Sequence, residues 1–210
     1  MATDLVEIDP ERPQPEVLER AAAAVRRGKV VAIPTDALYT LVADPFNPVS
    51  YTHLDVYKRQ HLEYAKAGAE ILETNTYGAS RMRLAGFGIA EKLKAINQAA
   101  VRLAREAAKD GVFVAGAVGP LGVRIEPLGP TSFAETRAAF REQIDALLEA
   151  GIDLLILETF ANLDELREAV TAAREAAGND LAIVAQVTID DFGHLPGGTD
   201  TETFTREMDS

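Results

Sequence analysis

The chain has 210 residues, 47% of them hydrophobic, and a formal charge of −12, which is enough apolar material for one large or two small cores and the wrong sign for a phosphate-binding surface. It has no cysteine, so disulfides and thiolate metal sites are excluded within it, and a reducing, cytoplasmic setting is expected. No apolar run nears the ~18 residues that span a bilayer, and the acidic opening "MATDLVEIDPERPQP" lacks a signal-peptide core.

After that Pro-rich leader, "PEVLERAAAAVRRG" predicts a helix. Val17, Leu18, Ala21, Ala24 and Val25 share a face, and Gly28 is its terminator. "KVVAIPTDALYTLVADPFN" follows as a β-branched run broken by Pro34, then a polar turn. This first module stops at Pro48, short of what a domain needs. The composition then changes. Asp44 to Tyr64 contains no alanine, and Tyr51 and Tyr57 are two of only five tyrosines.

From His61 the grammar is regular. Strands are expected in "GAEILETNTY", "VFVAGAVGP", "IDLLILETF" and "LAIVAQVTI". Between them lie helices in "AEKLKAINQAAVRLAREAAKDG", "TSFAETRAAFREQIDALLEAG" and "NLDELREAVTAAREAAG". The first helix carries an apolar stripe of Leu93, Ile96, Ala100, Leu103 and Ala107 and ends at Gly111. Ser132 with Glu135, and Asn162 with Glu165, have capping-box spacing. The strands are continuous apolar runs, as when helices cover the sheet, and the alternation predicts parallel strands with right-handed crossovers. "AGAEILET" at 67–74 returns as "AGIDLLILET" at 150–159, an offset of about 85 residues, or two βα units. The fold class expected for 61–210 is therefore α/β, an arc of about four strands (2 to 5) of a (β/α)₈ barrel.

In such folds chemistry gathers at the C-terminal strand ends. These are Glu73-Thr74-Asn75-Thr76, Gly119-Pro120, Glu158-Thr159 and Gln186-Val187-Thr188. Two carboxylates at equivalent strand ends suit an ammonium group, a metal, or acid–base work. Any one polar end can equally cap a helix, but a ring of them around one mouth points to a ligand site. His194, in "DDFGHLPGGT", reads as a solvated loop residue. Ser80, Arg81 and Arg83 read as a helix start rather than an anion grip.

"HLEYAKAGAEILETNTYGAS", "AGAVGPLG", "AGIDLLILETFANLDELREAV" and "AQVTIDDFGHLPGGT" resemble the homocysteine S-methyltransferase domain through nearly all of 61–210. The resemblance implies a (β/α)₈ barrel and methyl transfer to the homocysteine sulfur, activated as a thiolate by zinc. It implies that Glu158 holds the substrate ammonium and that Thr74, Asn75 and Thr76 line the pocket. The family's zinc ligands are cysteines, absent here, and its first-strand "DGAMGT" motif is absent too. The chain is thus expected to be a partial, inactive barrel whose methyl donor (folate, betaine or S-methylmethionine) is not legible. The partner expected is homocysteine, with neither nucleic acid nor membrane.

"RGKVVAIPTDALYTLVADPFN" is similar to the opening of the YrdC-like fold of threonylcarbamoyl-adenylate synthases, with Ala37 and Thr40 as departures. That likeness implies nucleotide-binding roles for Thr35 and Tyr39, and it makes a YrdC-like nucleotide-binding protein the alternative function. A non-catalytic α/β interaction module is the third. Between the two resemblances stands "VSYTHLDVYKRQ". From the last two bases of the Pro48 codon through Gln60, this stretch is encodable by DNA identical to its own reverse complement. It looks like two sequencing-library adapters joined head to head. The expected organisation is a truncated YrdC-like piece at 1–48, an adapter-derived junction at 49–60 that buries little, and the partial barrel at 61–210.

Overall fold

The computed structural model describes residues 5–6, 8–9, 12–34, 39–42, 55–196 and 198–208. The chain divides into two compact units, Met1–Arg59 and Gln60–Ser210.

In the first unit, helix α1 (Pro15–Arg26) starts on a proline, whose missing N–H costs nothing there, and buries no residue fully. Gly28 closes it with φ of 78°, a left-handed turn that glycine adopts without a Cβ penalty. Strand β1 (Val31–Pro34) pairs antiparallel with β2 (Tyr39–Val42), Pro34 opposite Tyr39. A polar turn is expected after Pro34, but β2 stands in that stretch. Pro34 ends a strand rather than a sheet, and the β-branched and aromatic residues of "YTLV" resume the pairing. Thr35 lies outside the described residues, and of Tyr39 the backbone alone is described.

Helix α2 (Asp55–Lys66) runs through the second half of the proposed junction. There Lys58 is half-buried and Arg59 and Gln60 are exposed; Tyr51 and Leu54 lie outside the described residues. Next come β3 (Ile71–Glu73), α3 (Arg81–Ala85), a 3₁₀ turn at Ala90–Lys92, α4 (Leu93–Ala107) and β4 (Phe113–Val118). The unit continues with α5 (Phe133–Glu149), β5 (Leu154–Phe160), α6 (Leu163–Ala177), β6 (Ala182–Val187) and α7 (Thr201–Met208). The strands form one parallel sheet in the order β3-β4-β5-β6, with Ile71 opposite Phe113, Ala115 opposite Leu154 and Leu154 opposite Ala182. The expected parallel arc is therefore present.

Strand alternation sets two faces. Val114, Val118, Leu155 and Leu157 point to α4, α5 and α6 and form the core with Phe140, Ile144 and Leu166, all essentially unexposed. Each such side chain contributes about 1.5–3 kcal/mol relative to leaving it in water. The opposite face is open, with Ile71 47%, Phe113 55% and Val184 39% exposed.

Helix starts follow the sequence closely. Ser132 and Glu135 form both halves of a capping box on α5, and Ser80 caps α3 by accepting from the Arg83 N–H. At α6 half the box forms. Asn162 accepts from the Glu165 N–H, but the Glu165 carboxylate is buried and accepts from the Leu121 N–H at 2.8 Å instead. The stripe on α4 is turned by about one residue from the expected one: Asn97, Val101 and Ala104 are buried beside Leu93 and Ala107, while Ile96, Ala100 and Leu103 are half-buried. Asn97 takes a core position because its amide donates to the carbonyls of Ala79 and Leu93 and its Oδ1 accepts from Gln143.

Gly119 follows β4 at a close approach. A Cβ there would stand 2.2 Å from the Tyr77 ring, whose face Arg83 covers at 5.4 Å. Gly119→Ala should therefore destabilise the chain by about 1–3 kcal/mol, the usual cost of overpacking. Urea denaturation checks this, and an unchanged midpoint would contradict the packing described.

Candidate active site

The C-terminal end of the parallel sheet carries the candidate site. At the end of β3 the residues alternate. Glu73 and Asn75 are exposed toward the open face, whereas Thr74 and Thr76 are buried. The two threonine hydroxyls lie 2.7 Å apart. Thr76 donates to the Ala117 carbonyl, and Thr74 accepts from the Ala117 N–H. Both are spent on fastening the strand end to β4, where the backbone ladder gives out. Gln143 adds a donor from α5 to the Thr76 carbonyl. Of the four sequence-named residues, Thr74 and Thr76 thus hold the strand end, while Asn75 is exposed and Glu158 half-buried.

Glu158 sits half-buried near the end of β5, in an irregularity where the register with β6 shifts between Leu157 and Phe160. The next residue, Thr159, has φ of 63°. A β-branched residue in the left-handed region is strained, and such strain persists where the surroundings over-determine it. Here Phe160 anchors the strand end: its ring is unexposed against Phe140, and its carbonyl accepts from the Thr188 N–H.

Glu73 and Glu158 meet. Partial desolvation and then the nearby Glu158 charge, with a hydrogen bond between the two carboxyls, push Glu73 up to about 7. A like charge in contact raises the proton affinity of a carboxyl, so Glu73 keeps its proton to a higher pH than a free glutamate. Glu73 was legible as a strand end and as the counterpart of Glu158 in the internal echo. What the sequence does not show is that the side chains reach one another across β4, whose intervening residues there, Ala115 and Ala117, are small.

Other sequence candidates fall elsewhere. Arg81 pairs with Glu142 on the surface, and Arg83 donates to the Pro120 carbonyl. His194 is a loop residue beside Asp190, whose carboxylate accepts from the N–H groups of Phe192 and His194. No helix among the described residues is long and apolar enough to cross a membrane.

The homocysteine S-methyltransferase family model matches residues 17–210. The chain belongs to the homocysteine S-methyltransferase family. The methionine synthase of Mycobacterium tuberculosis is 32% identical over 158 residues, covering 71% of this chain and 13% of that protein. Betaine–homocysteine S-methyltransferase 1 of Xenopus tropicalis is 32% identical over 172 residues, covering 78% of this chain and 41% of that protein. Among solved structures, the metallated homocysteine methyltransferase MmuM of Escherichia coli superposes with a TM-score of 0.65 at 27% identity, over 80% of this chain and 65% of that one. The chain thus spans less than half the length of these two curated relatives, 13% of one and 41% of the other.

The residues present do not fit a thiolate zinc site. There is no cysteine in the sequence, and among the described residues no three His, Asp or Glu side chains are grouped to hold a metal.

Proposed function

We propose that this chain supplies the amino-acid-binding strand ends of a homocysteine methyltransferase, with Glu158 receiving the ammonium group of homocysteine. The meeting of Glu158 with a second carboxyl on the open face, at a strained strand end, carries this reading. An ammonium there gains charge-assisted hydrogen bonds, about twice as strong as neutral ones, and Asn75 stands on the same face as a further polar contact. Calorimetric titration tests the reading by comparing L-homocysteine with 4-mercaptobutanoate, which lacks the ammonium group. Binding of the amino acid with at least tenfold loss for the analogue is expected; equal binding would contradict it.

Methyl transfer by the chain alone is a separate matter. A free thiol of pKa about 8.5 is mostly protonated at neutral pH, and no residue here supplies the thiolates that bind an activating zinc. With zinc and folate, betaine or S-methylmethionine donors added, the 210-residue chain is expected to form no methionine above a no-enzyme control. Turnover would refute this.

We also propose that residues 49–60 are an adapter-derived junction. The division of the chain after Arg59 supports this, since it falls at the last codon of the inverted repeat, whereas the family match begins at residue 17 and runs across it. Sequencing the source DNA across codons 48 to 60 decides: an uninterrupted gene with codons that break the palindrome would sink the junction.

A further inference from the structure

Building on the ammonium site proposed above, we infer that Glu73 is its second carboxylate, sharing one proton with Glu158 while the site is empty and yielding it to solvent when an α-amino acid binds. The placement is built into the fold. Glu73 ends β3 and Glu158 stands near the end of β5, each opening the "ET" dipeptide that the two βα units share, and by strand alternation both belong to the open face of the sheet. Between them β4 presents Ala115 and Ala117, both small and both buried, and the two carboxyls hydrogen-bond. Beyond β5, the open-face positions of β6 are Val184 and Gln186, which carry no charge. The charge acting on the Glu73 carboxyl is therefore that of Glu158.

Two carboxylates in contact do not both ionise freely, because like charges at this range raise the proton affinity of the pair. No basic side chain stands among the groups that act on Glu73, so a proton is the cation available in the empty site. An incoming ammonium brings one positive charge and three N–H donors. The shared proton then leaves to buffer, the ammonium hydrogen-bonds both carboxylates, and the charge balance of the site is unchanged. Amino-acid binding must consequently tighten as pH rises through the value near 7 that Glu73 shows. A site that binds only when one group of that pKa is deprotonated gains about tenfold in affinity between pH 6 and pH 8.

The test uses L-methionine, which has no thiol to titrate. Its dissociation constant is measured for the whole chain at pH 6 and pH 8, and proton release is counted calorimetrically in two buffers of different ionisation enthalpy. Expected are binding about tenfold tighter at pH 8 and release of close to one proton per methionine at pH 6. Glu73→Gln should flatten the pH profile and bind more weakly than the unaltered chain at pH 8. Binding by the unaltered chain that does not change with pH, or a Glu73→Gln profile that keeps its slope, overturns the role of Glu73 while leaving the ammonium site standing. No methionine binding at either pH overturns both. Should Glu73→Gln fail to fold, the proton count on the unaltered chain decides alone, and a count of zero overturns the inference.

Discussion

Glu158→Gln is expected to weaken L-homocysteine binding by tenfold or more without unfolding the chain. The substitution keeps the shape of the side chain and removes the charge, so the loss is that of a charge-assisted hydrogen bond, about 1.5–3 kcal/mol. Stability should move the other way. With its value raised from 4.5 to about 7, Glu73 keeps its proton in the folded chain to a higher pH than in the unfolded one. The stabilisation carried by that proton is full below about 4.5 and is lost as pH rises through about 7. Removing the Glu158 charge removes part of this slope, so Glu158→Gln is expected to be at least as stable as the unaltered chain at pH 8. Calorimetry and urea denaturation at pH 6 and pH 8 separate the two effects. A variant that binds normally, or one that loses binding only because it is unfolded, contradicts the assignment.

Phe160→Ala is expected to produce the largest loss of stability. The Phe160 ring is unexposed and stands 5.8 Å from that of Phe140, tilted by 45°. Truncating such a residue costs about 3–5 kcal/mol from lost transfer energy and the cavity left behind, with an aromatic pair contributing about 0.5–1.5 kcal/mol of that kind of contact. A domain of ordinary stability, about 5–15 kcal/mol, barely tolerates this. Phe160→Leu, which keeps most of the volume, should cost less and allow binding to be measured. Because Phe160 follows Glu158 and the strained Thr159, the leucine variant should also bind homocysteine more weakly. A near-native denaturation midpoint for Phe160→Ala would show that the ring does not anchor the strand end.

Sheet order and helix positions were legible because the patterns are local and repeated. "IDLLILET" is apolar without alternation, and the structure covers its Leu155 and Leu157 with helices. Ser132 and Glu135 stand three apart and close on each other. Legibility failed where a polar side chain chose a distant partner. Glu165 has capping spacing with Asn162, yet its carboxylate goes to the Leu121 N–H, 44 positions away in the chain. Asn97 lies off the expected apolar stripe, but Ala79, Leu93 and Gln143 satisfy it in the core, and α4 turns accordingly. The family resemblance implies that Thr74 and Thr76 line the pocket with Asn75. The two-residue period of the strand buries them and leaves Glu73 and Asn75 facing out. Helix α7 has no clear signal in the sequence, since "TETFTREM" is short and polar, and its start depends on Asp200 accepting from the Thr203 N–H.

The most direct measurement is a crystal structure of the whole chain with L-homocysteine. An ammonium nitrogen within about 3.2 Å of the Glu158 carboxylate, with Glu73 closing from the other side, is the predicted result. Homocysteine bound with its ammonium away from both glutamates, or bound elsewhere on the chain, would contradict it.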